Sequence, residues 1–171
     1  ILSQETKSLE ILKVPNVTTK IMDKPRLLKR DAAATASYSS APAAGNCDTM
    51  TAACVSELMN AGTSFHKLHL KITGMGSYAA HKALNELYDA MPGHADDLAE
   101  GYQGASEKLL TYSEVGARTL DTVEDALVYL RDLTNMVNAL QAKMPYTELV
   151  NSLDTVKDTI NSGKYKLKFL K

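Results

Sequence analysis

Four histidines and four carboxylates lie within one stretch of the chain, between Phe65 and Tyr102. The histidines are His66, His69, His81 and His94, and the carboxylates are Asp89, Asp96, Asp97 and Glu100. Imidazole nitrogens suit iron, zinc and copper, whereas carboxylate oxygens hold hard cations. If these side chains converge, the chemistry that they support is metal binding.

Apolar residues that recur at intervals of three or four predict two amphipathic helices in this part of the chain. The first is expected over residues 49–72, with Asp48 or Thr49 as its N-cap, and Gly74 and Gly76 are expected to end it. Its apolar stripe includes His69, a polar group that needs a partner when it is buried.

The second helix is expected to run from a cap at Ser77 to about residue 104, with a kink or a brief break at Pro92-Gly93. A rotation of about 100° per residue places its polar groups along one side, next to the apolar stripe. These groups are His81, Asn85, Asp89, Asp96 and Glu100.

An ordinary interpretation competes with a metal site at these residues. A buried histidine is more often a hydrogen-bonded core residue than a ligand, and a line of acidic residues is usually a solvated helix face. On the residue types alone, the ordinary interpretation is favoured.

The rest of the chain predicts two further helices, and near its end KYKLKFLK alternates like a short strand that could add to a partner's sheet edge. A third helix is expected from Asp121 or Thr122, with Glu124 as the capping-box partner of Asp121, to about Met144-Pro145. A fourth is expected over residues 147–161 and is expected to stop at Gly163. The fold class is therefore all-α, a four-helix bundle over residues 47–162. Cys47 and Cys54 form no Cys-x-x-Cys pair and are expected to be reduced thiols.

The two ends of the chain differ from the bundle in composition. Residues 1–46 are expected to form an extended, low-complexity N-terminal arm with a net charge of +3, and residues 163–171 a short basic tail. The arm is either a flexible segment or a segment that binds DNA or a protein surface. The candidate contact residues are Lys20, Lys24, Arg26, Lys29 and Arg30 in the arm and Lys164, Lys166, Lys168 and Lys171 in the tail. Binding through them would be sensitive to salt and blind to sequence.

The stretch HLKITGMGSYAAHKALNELYDAMPGHADDLAE resembles the signature of the Dps-like branch of the ferritin-like superfamily. That signature has two histidines on either side of a glycine turn, then an aspartate, and then an Asp-x-x-x-Glu pair. Here the matching positions are His69, Gly74, His81, Asn85 in place of the aspartate, Asp96 and Glu100, and the spacing needs no gaps. A looser resemblance links SYAAHKALNELYD to Dps-like proteins of tailed phages.

This resemblance implies a ferritin-like bundle in a hollow, dodecamer-like homo-oligomer. It implies a di-iron site between two subunits, with His69 and His81 from one and Asp96 and Glu100 from its two-fold partner. There Fe²⁺ would be oxidised with peroxide or oxygen, and the ferric product would be stored inside. His66, Asn85 and Asp89 are weaker ligand candidates. DNA is an expected non-specific partner, since proteins of this branch often bind it through basic extensions.

Three positions depart from the family pattern. Leu70 replaces the family's tryptophan, Asn85 removes a negative charge, and Pro92-Gly93 falls within a helix that the family keeps whole. The alternative function is therefore a phage virion or assembly protein that keeps the bundle with weakened or lost ferroxidase chemistry. Its arm would then contact other virion proteins. A third, weaker interpretation is a DNA-compacting bundle without metal.

The expected location is cytoplasmic or virion-associated, with no membrane partner, because no apolar run reaches the roughly 20 residues of a membrane span. The first residue is Ile1, which fits either a processed chain or an incomplete sequence.

Overall fold

The computed structural model describes residues 46–170, and within this range the chain forms four α-helices and no strand. The helices are α1 (Cys47–Lys71), α2 (Ser77–Ser106), α3 (Val123–Gln141) and α4 (Thr147–Phe169). The prediction of an all-α four-helix bundle is confirmed for these residues. The predicted arm and Lys171 lie outside them, so Lys20, Lys24, Arg26, Lys29 and Arg30 stay predictions.

Helices α1 and α2 form an antiparallel hairpin, because the start of α1 lies beside the end of α2. The hydroxyl of Tyr102 donates to Asp48 Oδ1 at 2.6 Å across these two ends. The turn between the helices contains Gly74 and Gly76, whose φ angles of 96° and 76° lie in the left-handed region.

The segment over residues 107–122 crosses from one end of the bundle to the other along α1. The Val115 carbonyl accepts a hydrogen bond from Asn60, in the middle of α1, and Lys71 at the end of α1 pairs with Asp121 at 2.6 Å. Helix α3 therefore starts beside the end of α1 and runs antiparallel to it. Helix α4 runs back antiparallel to α3. Each helix packs against two antiparallel neighbours, α1 against α2 and α3, and α4 against α2 and α3.

Two helix caps differ from the predicted ones. Asn46, rather than Asp48 or Thr49, caps α1, since its Oδ1 accepts from the Thr49 N–H at 2.9 Å. Ser77 does not cap α2, because Gly76 in the left-handed conformation is the N-cap and makes no side-chain bond.

The predicted cap Thr122 does start α3, but its capping-box partner is Asp125 and not Glu124. Asp125 stands three residues after the N-cap residue Thr122, whereas the predicted box was counted from Asp121. Burial follows the predicted apolar spacing, and the core includes Val55, Leu58, Phe65, Leu84, Leu98, Leu130, Leu153 and Ile160. Both cysteines are free thiols, as predicted.

Helix α2 has no break at Pro92-Gly93, and helix α4 does not end at Gly163. Helix α2 continues through Pro92-Gly93, where Gly62 of α1 faces the proline ring and leaves room for it. Helix α4 continues through Gly163 to Phe169, so the prediction that Gly163 ends it and begins a separate tail is wrong. Gly163 lies against Leu87, and any Cβ at that position would approach the leucine side chain to 2.6 Å. The glycine therefore allows close approach of α2 and α4.

A buried ionic cluster ties the crossover segment to the bundle. Arg118 pairs with Glu57 of α1 at 2.7 Å and with Asp132 of α3 at 2.8 Å, and its guanidinium lies 4.0 Å from the ring centre of Tyr129. Burial of a charge is costly unless opposite charges and hydrogen bonds compensate it, so this cluster fixes where the crossover runs. No helix within residues 46–170 has the length and apolar character to cross a membrane.

Candidate metal centre

His69 and His81 meet at the end of the α1–α2 hairpin, next to the glycine turn. Their Nε2 atoms are 2.9 Å apart, and their rings stack with centroids 3.7 Å apart. His69 is buried and His81 is half-buried. The structure therefore brings together the two histidines that were predicted to share one site.

One hydrogen bond defines the tautomer of His81. Its Nδ1 lies 3.3 Å from the carbonyl oxygen of His69, and a carbonyl only accepts, so Nδ1 carries the proton. In the neutral ring, Nε2 then holds a lone pair that points away from this bond. Metal-binding histidines are commonly oriented in this way, by donating the other ring N–H to a backbone carbonyl.

His69 lacks an equivalent outer bond. Its Nδ1 is buried and has no hydrogen-bond partner among residues 46–170. Burial, the neighbouring His81 and then His66 lower the pKa of His69, which keeps the imidazole neutral at physiological pH. A neutral imidazole is the form that binds a metal.

Tyr88 connects the histidine pair to a polar network on α2. Its ring stacks on His66 with centroids 4.1 Å apart and meets His69 edge-on at 5.1 Å. Its hydroxyl donates to Asn85 Oδ1 at 3.0 Å, and Asn85 Nδ2 donates to Asp89 Oδ2 at 2.6 Å. Both polar atoms of the Asn85 side chain are therefore engaged within the chain.

Tyr88 falls on the apolar stripe of α2, so the 3–4 spacing alone predicts a packing residue. Its spacing of three residues from Asn85 and seven from His81 was the available sign of a second role. His66, an exposed residue, lies against Tyr88 and not against His81, with 5.9 Å between the ring centres of His66 and His69.

Asp96 and Glu100 do not join the histidines within one chain. Both are exposed on α2, and Asp96 is fifteen residues beyond His81, which is about 22 Å along a helix. Among residues 46–170, no group of three or more histidine, cysteine, aspartate or glutamate side chains is placed to hold a metal ion. The predicted ligand set is therefore divided between two regions of the monomer.

The fourth histidine stands apart from this site. His94 Nε2 lies 2.8 Å from the Thr159 hydroxyl, across the α2–α4 contact, and burial lowers the pKa of His94. It is a hydrogen-bonded packing residue, as the ordinary interpretation of a histidine predicts.

The predicted basic tail has become part of α4. Lys166 forms an ion pair with Glu86, and Lys164 donates to the Thr134 hydroxyl. Lys168 is exposed beside Phe169. The three lysines thus have three different settings and do not form a free tail.

The fold and the histidine pair define an all-α bundle with a two-nitrogen cluster beside its glycine turn. Residues 69–167 match a family model described as a family of unknown function (DUF5856), and this match spans more than half of the chain. The chain belongs to that family. The matched region begins at His69 and includes His81, Asp96 and Glu100. No curated protein and no solved structure matches the chain.

Proposed function

We propose that this chain is the subunit of a ferritin-like, Dps-type homo-oligomer that binds Fe²⁺ and oxidises it. The bundle topology supports this proposal. Two antiparallel hairpins joined by a long crossover are the connection that distinguishes ferritin-like bundles from bundles with short loops throughout. The crossover over residues 107–122, held along α1 by Arg118, is of this kind.

The observation that carries the proposal is the position of two imidazole nitrogens. Two nitrogens at about 2.1 Å from one ion, at right angles to each other, are about 3 Å apart. The Nε2 atoms of His69 and His81 are 2.9 Å apart. Because the proton of His81 is on Nδ1, this contact is a hydrogen bond from His69 Nε2–H to the lone pair of His81 Nε2, and a bound ion would replace that proton. A cation that accepts nitrogen ligands could bind here once His69 carries its proton on Nδ1 and the stacked rings turn both Nε2 lone pairs toward one ion.

Two nitrogens do not complete a coordination shell, and the carboxylates must come from another molecule. Asp96 and Glu100 are exposed on one side of α2, too far from the histidines to reach them in the same chain. A two-fold axis brings the α2 helices of two copies together in antiparallel fashion, and isologous contacts pair residue i with residue j twice. His69 and His81 of one copy can then face Asp96 and Glu100 of the other.

Each group has a distinct role in this proposal. The carboxylates of Asp96 and Glu100 anchor the cation, and the histidines complete the shell. Two Fe²⁺ ions each give one electron to peroxide, the O–O bond breaks, and the two oxygens leave as hydroxide or water with protons from solvent. The ferric product is stored inside the oligomer. His66 and Asp89 are second choices as ligands, and Asn85 supplies neither charge nor a free oxygen.

The engaged side chain of Asn85 also supports a second candidate function. At this position the aspartate of the Dps-like signature is replaced by an amide, and the two polar atoms of that amide bond to Tyr88 and Asp89. A bundle with this change can serve as a phage virion or assembly protein in which the chemistry is weak or lost.

Molar mass and thermal melting of the full chain separate the two candidates. In the first, light scattering finds a closed oligomer, and anaerobic Fe²⁺ raises its melting temperature. His81→Ala removes the rise, whereas His94→Ala keeps it, because His94 is remote from the pair. In the second, neither variant changes the response to Fe²⁺, because the starting protein shows none.

A further inference from the structure

A second candidate site, which is not a metal site, lies on the outer face of α3 and α4. A groove of about 440 Å³ lies there, and we call this face the α4 aromatic patch. It is lined by Leu127, Asn161, Lys164, Tyr165, Lys168 and Phe169. The residues Tyr165 and Phe169 are 56% and 64% exposed, and their ring centroids are 5.7 Å apart, about one helical turn along α4.

Two lysines flank these rings. The Lys168 ammonium lies 5.4 Å from the ring centre of Phe169. Lys164 lines the groove and donates to the Thr134 hydroxyl, and Arg131 of α3 lowers the pKa of Lys164, after the larger effect of burial. Among the described residues, none of those that line the groove carries a carboxylate. Asp158 and Glu124, on the same two helices, line the neighbouring clefts instead.

This arrangement favours an anionic occupant. Like charges held close together repel one another, and a bound anion relieves that repulsion. The same argument disfavours a second copy of the patch, because a two-fold contact would place lysines against lysines. The predicted DNA contact through Lys164, Lys166 and Lys168 is also altered, since Lys166 is paired with Glu86 and points to the α2 side.

We infer that the α4 aromatic patch binds single-stranded nucleic acid, with bases stacked on Tyr165 and Phe169 and phosphates held by Lys164 and Lys168. Exposed aromatic rings next to cations form the platform that single strands use, whichever base is present. In a duplex the base faces are stacked on one another, so no free base face remains for the exposed rings to stack on. This inference is independent of iron binding, and it specifies the form of nucleic acid behind the predicted DNA contact.

The test is the fluorescence anisotropy of a short fluorescein-labelled oligothymidylate titrated with the full chain over a series of salt concentrations. The unaltered protein is expected to bind the single strand more tightly than a duplex of equal length. Tyr165→Ala and Phe169→Ala are each expected to weaken binding about tenfold, with no change in the salt dependence, because they remove stacking only. Lys168→Gln is expected to make the negative slope of log K against log salt shallower by about 0.7, which corresponds to the loss of one phosphate contact.

Matched controls make the result decisive. Tyr78→Ala removes an exposed tyrosine on α2, 78% exposed and outside the patch, and is expected to leave binding unchanged. Replacement of Lys24, Arg26, Lys29 and Arg30 by glutamine measures what the N-terminal segment contributes. Equal or tighter binding of the duplex would overturn the inference, and so would unaltered binding by both ring variants. A change of molar mass in the ring variants would also overturn it, because the patch would then be an interface between copies.

Discussion

At the scale of single residues, Asn85 is the position that most affects the proposed chemistry. It stands on the same side of α2 as His81, where a carboxylate would add negative charge to the site, yet its amide bonds to Tyr88 and Asp89. An internal network thus stands where the Dps-like signature that the sequence resembles has a carboxylate. Because carboxylates hold the hard cation, the proposed iron site is expected to bind Fe²⁺ more weakly with Asn85 than with an aspartate.

Restoring the carboxylate with Asn85→Asp is expected to tighten Fe²⁺ binding by roughly tenfold or more. The metal-free protein is expected to lose about 1 kcal/mol of stability, because the new carboxylate would repel Asp89 one helical turn away and a hydrogen bond would be lost. Anaerobic calorimetric titration and thermal melting measure the two effects. Asn151→Asp, the same change on an exposed residue of α4, is the control. Unchanged affinity in Asn85→Asp would show that position 85 does not face the metal.

The pH dependence of stability tests the burial of His94. Burial lowers the pKa of His94 in the folded state below the value of about 6.5 that it has when unfolded. Between these two values the unfolded chain binds the additional proton, so the free energy of unfolding falls as pH falls through about 6.5. Above that pH both states are neutral, and no such loss occurs.

His94→Gln is expected to reduce this acid-side loss in the metal-free protein. Urea unfolding at about pH 7.5 and about pH 5.5 gives the comparison, on either side of the unfolded pKa. His69 keeps a part of the loss in the variant, because its pKa is lowered too. A variant with the same loss as the starting protein would contradict the assignment of His94 as a half-buried residue that stays neutral.

At the scale of elements, the Arg118 cluster is expected to hold the crossover against α1 and α3. Arg118→Ala leaves Glu57 and Asp132 without their shared cation, and Glu57 is only 6% exposed. Loss of one member of a buried ion pair costs about 3 kcal/mol or more. Chemical denaturation measures this change, and Lys71→Ala is the control. The pair between Lys71 and Asp121 is exposed, so its removal is expected to cost below about 1 kcal/mol. Similar losses in both variants would contradict the role given to Arg118.

Two glycines inside helices are expected to respond in opposite directions to alanine. Gly163→Ala puts a Cβ within 3.0 Å of three atoms of the buried Leu87, so overpacking outweighs the gain in helix propensity, with a net loss of about 1 kcal/mol. Gly93→Ala meets no atom within 4 Å and is expected to gain up to about 1 kcal/mol. Thermal melting of both variants checks this, and a stabilised Gly163→Ala would contradict the close packing of α2 on α4.

Local sequence predicted the helices better than it predicted their ends. The spacing of apolar residues such as Leu58, Leu98 and Leu153 is a property of each helix alone. The helices could therefore be predicted from it. Continuation through Pro92 and Gly163 depends on what another helix presents, Gly62 in one case and Leu87 in the other. A single sequence does not contain that information in a local form.

The candidate site was predictable only in part for the same reason. The meeting of His69 and His81 follows from a hairpin of two helices with a short turn. The hydrogen bonds of Asn85 with Tyr88 and Asp89 depend on side-chain conformations along α2. Because several polar side chains lie within one turn, the sequence is compatible with several hydrogen-bond networks. The exposure of Tyr165 and Phe169 depended on α4 continuing past Gly163, which was not predicted.

At the scale of the whole molecule, the proposal requires two copies. One chain carries two histidines at the glycine turn and two exposed carboxylates about 22 Å farther along α2, so neither set alone is expected to bind iron well. The proposal therefore links the affinity for iron to the assembly of the oligomer. Dilution that dissociates the oligomer is expected to weaken Fe²⁺ binding, since a ligand that binds only the assembled form stabilises it.

The most direct measurement is an anaerobic titration of the purified oligomer with Fe²⁺, followed by peroxide, with the absorbance of the ferric product recorded. We expect saturable binding and rapid oxidation, both lost in Asp96→Ala and both kept in Asp97→Ala, its exposed neighbour on α2. Absence of binding above the buffer level, or equal behaviour of the two variants, would contradict the proposed intersubunit iron site.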